Sequence, residues 1–147
     1  MTRAVPILAA LTALAACGNP EPVAPPSPSA TIRLAAVPGR PAAGYLSLAV
    51  RGDRGALLSV TSPQAGRIEI HETMTHGTMT SMRPLERIPV GDGEILAFTP
   101  GGRHLMLFDL DPRVAAGSRI RLVLHFERGE PETLSAQVVP TGGDAGP

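Results

Sequence analysis

The chain has 147 residues, with thirteen basic and thirteen acidic side chains that cancel, one cysteine and no tryptophan. Balanced charge without a basic stripe leaves nucleic-acid binding without electrostatic support. A single cysteine excludes an intramolecular disulfide, a zinc ribbon and a paired-thiolate metal site.

In chain order, the first segment reads as a targeting sequence. Arg3 is followed by an apolar run from Ala4 to Ala16, which at about 13 residues is too short to span a bilayer and fits a secretory signal. It ends in Leu14, Ala15, Ala16 and Cys17, similar to a bacterial lipoprotein processing site. Residues 1–16 are therefore expected to be a lipoprotein signal peptide, and Cys17 the lipidated first residue of the mature chain. Acyl chains there, at about 0.8 kcal/mol per buried methylene, would hold the protein on a membrane of the bacterial cell envelope, facing the periplasm. Residues 17–30 follow with five prolines and almost nothing to bury, the composition of a stiff tether. Residues 31–140 make one domain's worth of chain, and residues 141–147 read as a disordered tail.

The domain reads as all-β. Ile32, Leu34 and Ala36 alternate with polar or small neighbours, as do Leu46, Leu48 and Val50, and later Ile120, Leu122 and Leu124. Glycine- and proline-rich breaks punctuate these runs at 51–55, 90–93, 99–102 and 128–131. That punctuation predicts seven to nine strands in two antiparallel sheets. The polar, threonine-rich stretch from Glu72 to Ser81 is expected to be a loop.

Chemistry concentrates between residues 71 and 106. Every methionine after the initiator (Met74, Met79, Met82 and Met106) and three of the four histidines fall there, and His71, Met82, His104 and Met106 stand as His-x10-Met-x21-His-x-Met. The strand period gives Ile68 and Ile70 to the core and leaves His71 on the polar face with Arg67 and Glu69. Likewise Leu105 and Leu107 turn inward, so His104 and Met106 share the opposite face. His125 lies on a face with Arg119 and Arg121 and reads as a surface histidine.

Methionine commonly fills core gaps, yet this core is already supplied with Leu, Ile and Val. Two imidazoles and two thioethers form a soft, neutral donor set. Zinc favours Cys, His and carboxylate, and calcium and magnesium need clustered oxygens, none of which appears. A blue-copper centre needs a thiolate that the domain lacks. Thioethers favour Cu(I), which would leave a complex of charge +1. Glu72, next to His71, is expected to accept a hydrogen bond from an imidazole N–H, and Arg83 and Arg103 to face an acidic partner.

The run from Gly66 through His71 to Thr73, then Met82-Arg83-Pro84, then Pro100 to Leu107 resembles the periplasmic PCuAC-type copper chaperones over about residues 31–139. The resemblance implies a cupredoxin-like antiparallel β-sandwich of Greek-key type with a surface Cu(I) site formed by His71, Met82, His104 and Met106. It also implies delivery of copper towards the CuA centre of cytochrome c oxidase, with an oxidase subunit or a Sco-type protein as recipient. Two positions depart from the family pattern: Met79 is separated from Met82 by one extra residue, and Thr73 stands where a methionine is usual, with Met74 displaced. Met74 and Met79 are therefore accessory candidates only, and His76 is the one residue that could add to a second site.

The function expected from the sequence is a copper chaperone that passes Cu(I) by ligand exchange, since neutral donors can be replaced one at a time. The alternative is a periplasmic copper-scavenging or resistance protein with the same site and no dedicated recipient. An enzyme is not expected, because no nucleophile–base constellation is present.

Overall fold

Apolar residues at every second position drive the domain into strands, because only a pleated strand sends alternate side chains to one side. The structure, a computed structural model, describes residues 27–144. The signal peptide expected over 1–16, Cys17 and the tether up to residue 26 lie outside the described residues, as do residues 145–147 of the tail. Among the described residues there is no helix, and ten strands form: β1 (Ser29–Arg33), β2 (Ala42–Ala49), β3 (Ala56–Thr61), β4 (Ala65–His76), β5 (Met79–Pro84), β6 (Ile88–Pro89), β7 (Ile95–Phe98), β8 (Arg103–Leu110), β9 (Arg119–Phe126) and β10 (Glu132–Val139).

Hydrogen bonding links them in the order β5-β4-β8-β2-β1-β10-β9-β3-β6, with β7 paired to the second half of β2. Ile32, Leu46, Leu48, Leu57, Phe98, Leu105, Leu122, Leu124 and Val138 all meet in one buried cluster. Strands from both ends of the path contribute to it, so the path curls over as a β-sandwich. Each of the large side chains buried there is worth about 1.5–3 kcal/mol relative to exposure. The interior assignments made for β2, β8 and β9 hold: Leu48, Val50, Leu105, Leu107, Ile120, Leu122 and Leu124 are all buried.

Ten strands replace the seven to nine expected, and one continuous hydrogen-bonded path replaces two separate antiparallel sheets, because β2 and β1 bridge the halves; three local features differ as well. First, β1 begins at Ser29, two residues before the expected start of the domain, and ends at Arg33, so Ala36 lies beyond it and is exposed. Second, β1 runs parallel to β10, with Thr31 opposite Gln137 and Arg33 opposite Val139, and antiparallel to β2. This joins the two ends of the domain, and no local pattern announces such a pairing. Third, the stretch from Glu72 to Ser81 is not a loop. β4 continues to His76, turns at Gly77 and Thr78, and returns as β5. Gly77 has φ 61°, the conformation that a two-residue hairpin turn with glycine first requires. The alternating threonines, β-branched and suited to a pleat, supply the strand preference.

Between β1 and β8 in the same sheet, Gly44 of β2 leaves room for the side chains opposite it on both flanking strands. A Cβ there would meet Ile32 Cδ1 and Leu105 Cβ at 3.0 Å. Ala43 and Tyr45, its neighbours, project to the opposite face, Ala43 across from Met106 of β8 and Tyr45 across from Thr31 of β1.

Candidate metal centre

β4 and β8 are antiparallel, with His71 directly opposite His104, Ile70 opposite Leu105 and Glu69 opposite Met106. Paired residues share a face, and the face alternates along each strand. With Ile70 and Leu105 in the core, His71, His104, Glu69 and Met106 project from the other side. β5 extends that side, pairing Thr73 with Met82 and His71 with Pro84. Met82 therefore stands one row to one side of the His71–His104 row, and Met106 one row to the other. Successive rows on one face are spaced by two residues, about 7 Å. Register alone thus sets His71, Met82, His104 and Met106 on one face of the sheet, in three consecutive rows.

The two imidazole rings have centroids 6.1 Å apart and planes tilted by 39°. His71 Nε2 lies 2.9 Å from Glu69 Oε2, and His104 Nδ1 lies 3.1 Å from the Gly102 carbonyl oxygen. A carboxylate and a carbonyl can only accept, so these nitrogens carry the hydrogens. The lone pairs then sit on His71 Nδ1 and His104 Nε2. His71 Nδ1 is buried and has no hydrogen-bond partner. A polar atom left so costs about 1–3 kcal/mol, and an electrophile that accepts its lone pair removes the cost.

Met82, His104 and Met106 line a cleft of about 270 Å³ together with Thr73, Gly101, Ala43, Tyr45 and Arg33. The imidazoles are mostly enclosed, His104 being 8 % exposed, whereas Met82 on the outer strand is 59 % exposed. One thioether is therefore open to an approaching molecule while the nitrogen donors are held from behind. Among the described residues no group of three or more His, Cys, Asp or Glu gathers.

The remaining expected residues fall elsewhere. Met74, His76 and Met79 share the opposite parity of the β4–β5 hairpin, since Met74 pairs with Ser81 and His76 with Met79. They face away from His71 and Met82. Glu72 also lies on that reverse face, opposite Arg83 and Arg103 in the two neighbouring strands. It contacts both, at 2.7 Å and 3.7 Å, and the hydrogen bond from Arg83 lowers its carboxyl below the ordinary range. Glu72 is thus no acceptor for an imidazole, and Arg83 and Arg103 already share an anion. The acceptor is Glu69, two residues before His71 on the same face, held on its other side by Arg67 at 3.3 Å. The pleat already grouped Glu69 with His71; adjacency in sequence favoured the wrong carboxylate. His125 meets Thr61 Oγ1 at 2.8 Å, away from the cleft.

Replacing Glu69 with Ala should release the His71 ring and its tautomer. Loss of such an orienting partner commonly costs about 10–100-fold in metal affinity. A competition titration with a Cu(I) chelator checks this, and an unchanged affinity would remove Glu69 from the site.

A family model described as "Putative lipoprotein LpqE-like" matches residues 26–138. The chain belongs to the LpqE-like family. This LpqE-like chain is 31 % identical over 90 residues to "Putative lipoprotein Lxx21020" of Leifsonia xyli subsp. xyli, covering 59 % of this chain and 53 % of that one. It is 28 % identical over 83 residues to an uncharacterized protein of Rickettsia prowazekii, covering 56 % and 46 %. The chain spans about half the length of these curated relatives. Among solved structures, a copper-bound PCuAC domain from PmoF2 aligns with a TM-score of 0.61 at 20 % identity, covering 77 % of this chain and 91 % of that one. The Cu(I) form of DR1885 from Deinococcus radiodurans aligns with a TM-score of 0.59 at 22 % identity, covering 82 % and 81 %. The fold is therefore the cupredoxin-like β-sandwich of PCuAC domains, as the sequence resemblance implied.

Proposed function

We propose that this protein is a copper chaperone that holds Cu(I) between His71, Met82, His104 and Met106 and releases it by ligand exchange. The observation that carries this reading is the buried, unpartnered Nδ1 of His71, on a residue set opposite His104 and flanked by two methionines. A site complete without a ligand has no use for such an atom. Soft neutral donors suit monovalent copper, and the similar domains include one solved with copper and one solved with Cu(I).

The geometry also supports an order of events. The enclosed imidazoles anchor the ion, and the exposed Met82 thioether leaves first when an acceptor supplies its own donor. Delivery towards the CuA centre of cytochrome c oxidase, through an oxidase subunit or a Sco-type protein, is the destination we assign from the sequence resemblance. Attachment to the cell envelope through a lipidated Cys17 is supported by the lipoprotein family and by the name of the Leifsonia relative. Such a chaperone binds and transfers, and performs no catalysis.

The test is an anaerobic Cu(I) titration of the purified domain against a competing chelator, with one equivalent expected. No stoichiometric binding would end the proposal. Met106→Leu conserves volume, so stability should change by less than about 1.5 kcal/mol while Cu(I) affinity falls steeply. Wild-type affinity in that variant would remove Met106 from the ligands. Deleting the gene should lower cytochrome oxidase activity at limiting copper. Loss of copper tolerance alone, with oxidase intact, would point to scavenging.

A further inference from the structure

The cleft has a second end that copper does not occupy in this reading. Arg33 of β1 and Tyr45 of β2 line it beside His104 and Met106. Tyr45 is 4 % exposed, and its phenol oxygen accepts a 2.7 Å hydrogen bond from Arg33 Nη2. The guanidinium carbon lies 5.4 Å from the ring centroid. Register places the two on the metal face: Arg33 pairs with Ala43, Ala43 pairs with Met106, and Tyr45 follows two residues on.

Part of their hydrogen-bonding capacity is unspent. The phenol accepts from Arg33, and its own hydrogen has no acceptor among the described residues. Arg33 has no carboxylate within ion-pair distance among the described residues. Its neighbours differ: Arg67 is spent on Glu69, and Arg83 and Arg103 on Glu72. A planar guanidinium with free N–H groups next to a buried phenol O–H matches one chemical group above others. A carboxylate can take donors from both at once, and charge-assisted bonds of that kind are the stronger ones.

We propose that Arg33 and Tyr45 form a carboxylate-binding subsite for the acceptor that removes copper, a thiol or peptide bearing a carboxylate near its sulfur. This rests on the copper reading for its purpose, though not for its existence. The carboxylate docks at Arg33 and Tyr45, which brings the acceptor sulfur to the exposed side of the ion. A Cu–S bond to the acceptor thiolate forms as the bond to the Met82 thioether breaks. The thiol proton passes to solvent, copper stays monovalent, and no electron moves.

Two measurements test it. Tyr45 is the only tyrosine and there is no tryptophan, so tyrosine emission of the copper-free protein reports the subsite directly. Propionate should change that emission saturably, propionamide should not, and Arg33→Gln should abolish the response. With the Cu(I)-loaded protein, transfer to 3-mercaptopropionate is compared with transfer to 2-mercaptoethanol. The acceptors' own reactivities cancel when the ratio in wild type is divided by the ratio in Arg33→Gln. That quotient should be about ten, the value expected for one bond to a charged group. Tyr45→Phe, which keeps the ring, should lower it partway. A short peptide pairing Cys with Asp, set against its Asn counterpart, asks whether a protein acceptor is recognised in the same way as a free thiol acid. A quotient of one overturns the proposal. A wild-type protein that binds no Cu(I) overturns the copper reading instead, and the propionate titration still decides the subsite.

Discussion

His71→Leu is expected to abolish stoichiometric Cu(I) binding while leaving the copper-free protein as stable as wild type or more so. The two effects have opposite signs because one atom serves both. Nδ1 of His71 is buried without a partner, a burden of about 1–3 kcal/mol that an apolar side chain of similar size does not bear. What the substitution gives up is the hydrogen bond to Glu69 at 2.9 Å, and Arg67 remains to hold that carboxylate. Urea denaturation of both proteins without metal gives the stability difference, and chelator competition gives the affinity. Copper should raise the melting temperature of wild type alone, since only a folded state with a site gains from mass action. A variant that binds Cu(I) as wild type does would take His71 out of the site. A variant several kcal/mol less stable would show that the ring is a structural element.

Phe98→Ala should cost about 3–5 kcal/mol, a large part of the stability of a domain this size. Phe98 is fully buried at the end of β7, opposite Leu46 of β2. Few neighbours can move into the space, because Leu46, Leu48 and Leu105 around the same core belong to strands fixed by their own ladders. The residue also bears on the site. The chain passes from Phe98 through the turn at Thr99–Gly102 into β8, where the Gly102 carbonyl sets the His104 ring. A shift of the denaturation midpoint in the expected range confirms the packing role. A cost under about 1 kcal/mol would mean that the core collapses around the gap.

What the sequence disclosed was whatever two-residue periodicity can express. The inward set of β8 and β9, and the outward parity of His71, His104 and Met106, follow from alternation over a single strand. Alternation along one strand is silent about which residue of another strand stands opposite. The pairing of His71 with His104 comes from long-range register, and those of Thr73 with Met82 and Arg33 with Ala43 come from the register of neighbouring strands, which alternation within one strand does not express. The hairpin at Gly77 was masked by polarity: Thr73, Thr75 and Thr80 look like loop residues until their branched Cβ atoms are counted as strand formers. Glu72 was favoured over Glu69 by adjacency, whereas neighbours in a strand point to opposite sides.

The parallel pairing of the first strand has a mechanical meaning. β1 is bonded on both flanks, to β2 and to β10, and it starts at Ser29. A pull on the chain ahead of Ser29 is directed along that strand. The load falls on two ladders in shear, which must slip together, rather than peeling bonds one by one as at a sheet margin. A tug on that end is thus met by two seams at once, and Arg33, at the far end of the same strand, keeps its place beside the cleft.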